Sequence, residues 1–182
     1  MKQPAGTFRY RVRQFFRALT ARVSEEELEQ AAGILTPASL ALFRSMATQD
    51  QRHALDVCAA LRQAGHSDPD LLAAALLHDV GKSAGQLSAW HRAIIVLLER
   101  FAPRLLARLS RGEPDSWRRP FAIHASHPEV GARWAQEAGC RPLTAALIRR
   151  HEEPTSSFRS EGGLLQYEDQ LLAALQAADN RN

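Results

Sequence analysis

The sequence is poor in cysteine and has no long hydrophobic run. Its 182 residues include only Cys58 and Cys140, which form no Cys-x-x-Cys pair, so the pattern indicates neither a disulfide scaffold nor a zinc-cysteine site. Arginines interrupt the apolar stretches near the N-terminus, so no secretory signal is indicated and a reduced, cytoplasmic setting is expected. The longest apolar runs, 71–77 and 93–98, are too short for a membrane span.

The sequence also has little excess charge. Lys and Arg number 23 against 20 Asp and Glu, a net charge of +3, which suits a protein that handles anionic metabolites as well as one that binds nucleic acid. The basic residues near the N-terminus favour a solvated helix face over a nucleic-acid or membrane-surface contact. This cluster comprises Arg9, Arg11, Arg13, Arg17 and Arg22. A nucleic-acid partner is therefore not expected.

No stretch shows the sustained alternation of a β-strand with hairpin turns, and Pro, Gly and capping residues divide the chain into about eight helical segments. The prediction is an all-α helical bundle. Hydrophobic residues make up 45% of the chain and charged residues 24%, which is typical of a globular domain with a core. We expect N-terminal helices in residues 1–47, packed on a core domain in residues 48–182.

Capping signals predict several helix boundaries. Ser24 with Glu27 forms a capping-box pattern, Thr36 precedes Pro37, and Asp68 precedes Pro69. The periodicity predicts helices over 7–23, 50–64, 69–79, 128–138, 142–151 and 164–179, with a further helix within 117–124.

Two prolines predict interruptions in the second half of the chain. The amphipathic segment 88–109 is expected to bend or break at Pro103, and a helix is expected to restart at His127-Pro128, because the residue before a proline is disfavoured in the helical region.

Six imidazoles and carboxylates fall at or near predicted helix ends, and five of them lie in apolar sequence, where an uncompensated polar side chain would be costly. These residues are His53, His78, Asp79, His127, His151 and Asp179. The segment 71–82, Leu-Leu-Ala-Ala-Ala-Leu-Leu-His-Asp-Val-Gly-Lys, places an imidazole and a carboxylate side by side at the end of a very apolar helix. A His-Asp dipeptide alone is equally typical of a structural helix end.

The wider order of motifs is more specific. His53 is followed by His-Asp-Val-Gly-Lys at 78–82, His-Pro-Glu-Val-Gly-Ala at 127–132, Arg-His-Glu at 150–152 and Ala-Ala-Asp at 177–179. In this order the chain resembles the HD superfamily of metal-dependent phosphohydrolases, from about His53 to Asp179, and in particular its dinuclear branch. The resemblance implies an HD-type helical bundle that binds two divalent transition-metal ions.

The resemblance implies one metal held by His53, His78, Asp79 and Asp179, a second held by His127 and His151, and Asp79 as the bridge between them. Imidazoles and carboxylates without thiolates suit Fe, Mn, Co, Ni or Zn better than Ca or Mg. Two such ions about 3.5 to 4 Å apart activate a hydroxide and hold phosphate oxygens for in-line displacement.

The implied function is hydrolysis of a phosphoester or phosphoanhydride of a nucleotide or dinucleotide, with Asp79 and Lys82 as the catalytic residues. Lys82, three residues after Asp79, is placed to balance phosphate charge or to orient that carboxylate. The alternative is an HD-type regulatory domain that binds a metal and a nucleotide without turnover.

Two subfamilies compete as the closer match. The motifs at 127–132 and 151–152 resemble the HD-GYP cyclic-dinucleotide phosphodiesterases, although Arg150 stands where those carry a first His and no Gly-Tyr-Pro follows. The single His and the terminal Asp resemble the bacterial HD hydrolases of diadenosine tetraphosphate, but residues 153–162 lack their threonine-rich segment. The sequence leaves the substrate and the oligomeric state open. It also leaves open whether His91, His124, Arg149 and Arg150 touch substrate or serve packing and solvation.

Overall fold

The computed structural model describes residues 22–85, 89–111, 117–154 and 163–182. Over these ranges the chain forms nine α-helices, one short 3₁₀ helix and no β-strand, which confirms the predicted all-α fold. The helices are α1 (Glu25–Ala32), α2 (Pro37–Ser45), α3 (Thr48–Gln63), α4 (Pro69–Leu77), the 3₁₀ helix (Val80–Ala84), α5 (Ala89–Phe101), α6 (Pro103–Leu109), α7 (Arg119–Glu137), α8 (Pro142–Arg150) and α9 (Leu164–Asp179). Most of the helix predicted over 7–23 lies outside the described residues.

The predicted caps are confirmed at the first, second and fourth helices. The hydroxyl of Ser24 accepts from the backbone N–H of Glu27, and the Glu27 carboxylate accepts from the backbone N–H of Ser24, which completes a capping box. Thr36 caps α2, and Asp68 caps α4 by accepting from two backbone N–H groups. Helix α4 then ends at Leu77, two residues earlier than predicted, and the chain tightens into the 3₁₀ helix just after Asp79.

The main core surrounds α4, in which every residue from 70 to 77 is buried. Helices α2, α3, α8 and α9 all contact α4, and the core also contains Phe43 of α2 and Leu172 of α9. Because α4 is apolar on all sides and ends inside the bundle, the His78-Asp79 pair that follows it is placed in the interior.

A second, smaller apolar cluster joins α5, α6 and α7 through Ile95, Leu106 and Phe121. The predicted break at Pro103 is confirmed, since α5 ends at Phe101 and Pro103 opens α6. Among the described residues no helix combines the length and the apolar character needed to cross a bilayer.

The predicted restart at His127-Pro128 is wrong. Helix α7 runs without interruption from Arg119 to Glu137 and contains Pro128. A proline inside a helix removes one backbone hydrogen bond, because it has no N–H to donate to the carbonyl four residues earlier. Here the carbonyl of His124 accepts instead from the ring of His127, at 2.5 Å. The side chain replaces the missing backbone donor, and the helix continues.

Candidate metal centre

The structure brings all six predicted ligands into one cluster. His53 comes from α3, His78 and Asp79 from the end of α4, His127 from the middle of α7, His151 from the residue after α8, and Asp179 from the last residue of α9. Their ligand atoms form two groups, each within 4.8 Å: one of His53, His78 and Asp179, the other of Asp79, His127 and His151. Both groups have an arrangement that could hold a metal ion.

Three of the imidazoles are oriented by the same contact. His78, His127 and His151 each have Nδ1 within 2.5 to 2.9 Å of the carbonyl oxygen three residues earlier. A carbonyl oxygen only accepts, so Nδ1 carries the hydrogen in each ring and a neutral ring keeps its lone pair on Nε2. This is the tautomer in which a histidine binds a metal while its other nitrogen is held by the protein.

Asp79 lies between the two groups, with one carboxylate oxygen toward each. Its Oδ1 is 3.4 Å from Nε2 of His127 and 3.8 Å from Nε2 of His151. Its Oδ2 is 3.6 Å from Nε2 of His78. Two neighbouring ligand atoms that share a metal at about 2.1 Å are roughly 3.0 to 3.4 Å apart in octahedral or tetrahedral coordination. The separation of Asp79 from His127 matches this range and the other two exceed it by a few tenths of an ångström, so small side-chain shifts would let the carboxylate serve both groups.

Lys82 compensates part of the charge of Asp79. Its ammonium lies 2.7 Å from Oδ2, the oxygen that faces His78. Burial alone would raise the pKa of Asp79, but the charges of Lys82 and His78 outweigh it and hold that pKa well below its ordinary value. Burial would likewise lower the pKa of Lys82, but Asp79 raises it. The pair is therefore ionised, and Asp79 is a carboxylate ready to bind a cation.

His53 and Asp179 form a hydrogen-bonded pair on the more accessible side of the cluster. Nε2 of His53 lies 2.8 Å from Oδ1 of Asp179. Burial would lower the pKa of His53, but the hydrogen bond to Asp179 and the negative charges of Asp79 and Asp179 together outweigh burial, and the pKa is raised. Burial would raise the pKa of Asp179, but the hydrogen bond from His53 and the electrostatic effects of His78 and His53 together lower it to about 2. A metal ion would replace the proton of this pair.

Two glycines allow Asp79 to approach α7. A Cβ on Gly81 would lie 2.0 Å from the carbonyl oxygen of His127 and 2.9 Å from the backbone nitrogen of Gly131. A Cβ on Gly131 would lie 3.2 Å from the backbone nitrogen of Gly81. Only glycine at 81 lets the 3₁₀ helix lie directly on α7, and this contact places Asp79 beside His127. The glycines of the two sequence motifs thus have a shared structural reason.

The residues fit a transition-metal ion by their chemistry as well as their spacing. Nε2 of His78 and Nε2 of His127 are buried and have no hydrogen-bond partner. A buried polar atom without a partner is costly, and a bound cation would remove that cost. Burial, followed by repulsion from His78, lowers the pKa of His151 to about 3, so its ring is neutral near pH 7 and can bind a metal. Nitrogen and carboxylate oxygen donors without sulfur match Fe, Mn, Co, Ni or Zn.

A third ligand group adds two residues outside the predicted set. Ligand atoms of His124, His127 and Glu152 lie within 4.8 Å of one another, and Oε1 of Glu152 is 3.6 Å from Nε2 of His127. The His124 ring stacks on the His127 ring at 5.8 Å between centroids. Glu152 was missed as a candidate, although its position directly after His151 was the available signal. His124 lies one helical turn before His127, and its role stayed open in the sequence.

The two arginines beside His151 are engaged by carboxylates. Arg150 forms ion pairs with Glu153, Glu168 and Asp169, which tie the end of α8 to α9. Arg149 is 2.7 Å from a carboxylate oxygen of Glu129 on α7. Both arginines therefore join helices that carry the ligand cluster.

Comparisons with protein-family models, with curated proteins and with solved structures found no match to this chain. The case for function therefore depends on the residues and on their arrangement.

Proposed function

We propose that the protein is an HD-type metal-dependent phosphohydrolase, whose substrate is a phosphoester or phosphoanhydride of a nucleotide or dinucleotide. The observation that carries this proposal is the pair of buried, unpartnered Nε2 atoms of His78 and His127 on opposite sides of the ionised Asp79. In a core that served packing alone, both buried nitrogens would be destabilising and would have no role, whereas a metal centre uses both as ligands.

The proposed ligand assignment gives His53, His78, Asp79 and Asp179 to one divalent ion and Asp79, His127 and His151 to a second. Its support is the division of the cluster into two groups around the two oxygens of Asp79. When bound, such ions lower the pKa of water and neutralise charge that develops on phosphoryl oxygens.

Lys82 is the proposed contact for substrate phosphate. The Lys82 side chain is 23% exposed and the Asp79 side chain is 5% exposed, so Lys82 is the member of the pair that is nearer to solvent. A metal ion that took over Asp79 would leave the ammonium available to an oxygen of an incoming phosphate. Lys82 would thereby stabilise charge on the substrate, and Asp79 would hold the ions.

A groove beside His124 gives room for the organic part of a nucleotide. It has a volume of about 410 Å³ and lies between α6 and α7, with Leu106 and Ala107 on its apolar wall and Ser110 and Arg111 as polar groups. Because His124 stacks on His127, the groove adjoins the ligand cluster. An apolar wall with a few polar groups is typical of a site for a small organic molecule.

The test begins with the metal content of the full chain, purified without chelator and then reloaded with Mn, Fe(II), Co, Ni or Zn. Loaded protein is assayed against nucleoside polyphosphates, dinucleoside polyphosphates, cyclic mononucleotides, cyclic dinucleotides and simple aryl phosphoesters. We expect about two ions per chain and turnover of at least one nucleotide class. The control is Asp79→Ala, which should lose metal and activity together, while circular dichroism shows unchanged helicity because Ala favours helices.

Each outcome decides a different part of the proposal. Loaded protein that binds a nucleotide without turnover identifies the regulatory alternative. Turnover of aryl phosphoesters alone removes the nucleotide assignment. If Asp79→Ala keeps both its metal and its rate, the dinuclear assignment is wrong and the His-Asp pair only ends a helix.

A further inference from the structure

Helix α5 exposes three large apolar side chains. Trp90, Leu97 and Phe101 are 67%, 53% and 75% exposed. Positions 90, 97 and 101 are separated by seven and four residues, so they share one side of the helix over about 16 Å. These three residues are termed the α5 stripe.

The α5 stripe is additional to the face that holds α5 in the fold. Ile95 is 4% exposed, and it packs with Leu106 and Phe121 in the second apolar cluster. The helix is therefore apolar on two sides, one buried and one exposed. The next helix continues this character with Leu105, which is 47% exposed. Large exposed apolar side chains in one row mark a surface that contacts another body.

The segment that carries the stripe is basic in composition. Residues 89–111 contain five arginines and one glutamate, so this segment alone carries a charge of +4 in a chain of net charge +3. Arg100, Arg104, Arg108 and Arg111 follow one another along α5, α6 and the turn after α6 at intervals of three or four residues. The guanidinium of Arg100 lies over the ring of Phe101, 5.7 Å from its centroid.

The exposed apolar row and the arginines beside it favour one kind of binding partner over others. A second copy of the chain, docked face to face, would bring two arginine clusters together, and like charges oppose that contact. A single nucleic-acid strand prefers stacked aromatic platforms, but the two rings of the stripe are 11 positions apart and the aliphatic Leu97 lies between them. An aromatic and aliphatic row flanked by arginines matches the interface of an anionic bilayer, where apolar side chains enter the acyl boundary and guanidinium groups meet phosphate.

We propose that α5 and α6 form a peripheral docking surface for anionic phospholipid membranes, with Trp90, Leu97 and Phe101 inserted below the headgroups and Arg100 and Arg104 bound to lipid phosphate. In this contact, α5 lies in the plane of the membrane–water interface. The proposal does not rest on the phosphohydrolase activity, because none of these five residues belongs to the ligand cluster or lines the groove beside His124.

The test is co-sedimentation of the full chain with vesicles of phosphatidylcholine alone and of phosphatidylcholine with 40% phosphatidylglycerol, at low and at high salt. The main variant is the double change Leu97→Ser and Phe101→Ser, which alters exposed side chains only. A second variant, Arg104→Gln, has Arg133→Gln as its matched control, because Arg133 is also exposed but lies on α7. Circular dichroism and metal content verify the fold of each.

We expect the parent to sediment with the anionic vesicles and not with the neutral ones. The bound fraction should fall at high salt. The double variant should partition at least tenfold more weakly, Arg104→Gln about fivefold more weakly, and Arg133→Gln like the parent. All these proteins keep residues 1–21, so the difference isolates the stripe.

Three results would overturn the proposal. The first is equal partition of parent and double variant, and the second is equal binding to neutral and anionic vesicles. The third is a parent that does not bind vesicles but either self-associates in analytical ultracentrifugation or binds single-stranded nucleic acid, with the double variant losing that self-association or binding.

Discussion

At the scale of single residues, the cluster is organised around one carboxylate. Asp79 is 4% exposed, and its two oxygens face imidazoles from different helices, so its charge must be balanced from within the protein. In the metal-free protein the largest favourable contribution is Lys82. A bound metal would take over that task, which gives Lys82 different roles in the two states.

Replacing Lys82 with Ala should therefore have an effect that depends on metal. Without metal, Asp79 loses its ammonium partner, and removing one member of a buried ion pair costs about 3 to 5 kcal/mol of unfolding free energy. With metal, most of this loss should be recovered, while turnover falls roughly 10²-fold because charge on the phosphate is no longer stabilised. Denaturant unfolding with and without metal, metal stoichiometry and phosphoesterase rate measure these effects. Equal destabilisation in both states would contradict the assignment.

His53 and Asp179 predict a pH dependence for the metal-free protein. The folded pKa of His53 is raised above 6.5, so its stabilising contribution is complete below that value and is lost as the pH rises through the folded pKa. The pKa of Asp179 is lowered from 3.8 to about 2, so its contribution is complete above 3.8 and is lost as the pH falls toward 2. The pair therefore stabilises most between about pH 4 and pH 6.5.

The measurement is the stability of the parent minus that of His53→Gln at several pH values in chelator. The difference should be largest near pH 5 and smaller at pH 8.5 and at pH 2.5. A difference that does not change with pH would show that His53 contributes packing rather than charge.

At the scale of elements, three of the four imidazoles in the cluster are held in the same way. His78 and His151 come directly after α4 and α8, where the last carbonyls of a helix lack backbone donors and can accept from a ring nitrogen. His127 lies in the middle of α7, where such carbonyls are normally occupied. Because Pro128 has no backbone N–H, the carbonyl of His124 has no helical donor and accepts from the His127 ring instead.

Pro128→Ala should separate helix stability from metal affinity. The new backbone N–H would donate to the carbonyl of His124 and compete with the His127 ring, while removal of an interior proline strengthens the helix by up to about 3 kcal/mol. We expect a higher melting temperature without metal and metal affinity that is weaker by about tenfold, as for other losses of a ligand's supporting hydrogen bond. Calorimetric unfolding and metal titration test this. Unchanged metal affinity would mean that the carbonyl of His124 accepts from both the new backbone N–H and the His127 ring.

Pro128 also shows where reasoning from sequence reached its limit. The capping signals at Ser24, Thr36 and Asp68 depend only on neighbouring residues and were predicted correctly. The effect of Pro128 depends on a side chain that compensates it, and no local rule contains that compensation. The predicted interruption followed from backbone preference alone.

The candidate site was more predictable than the details of the helices. The order of the motifs, through its resemblance to the HD superfamily, grouped the six imidazoles and carboxylates that the structure brings into one cluster. The reason for glycine at 81 and 131 is the close contact between the 3₁₀ helix and α7, and this contact cannot be read from the sequence. The ion pairs of Arg150 with Glu168 and Asp169 on α9 equally required the packed helices, since the partners are 18 and 19 residues away.

At the scale of the whole molecule, the bundle brings the candidate ligands together from five separate segments, one of which is the end of α4. His53 on α3 and Asp179 at the end of α9 are 126 residues apart in sequence yet share a hydrogen bond. Each ligand is held by a helix that also packs in the main core, so the cluster and the core are formed by the same contacts. Without metal, this arrangement keeps two unpartnered imidazole nitrogens in the interior.

Removal of metal should therefore destabilise the entire bundle. An ion that binds the folded state at a free concentration 100 times its Kd stabilises that state by about 2.7 kcal/mol, and for a chain of this length each 1 kcal/mol shifts the melting temperature by roughly 2 to 4 °C. Loaded protein should thus melt about 5 to 11 °C above protein stripped with chelator, with further gain as free metal rises. Asp79→Ala is the control, because it should bind neither ion and show no shift. A parent whose melting temperature ignores both chelator and added Mn, Fe(II), Co, Ni or Zn would exclude a metal centre in this cluster.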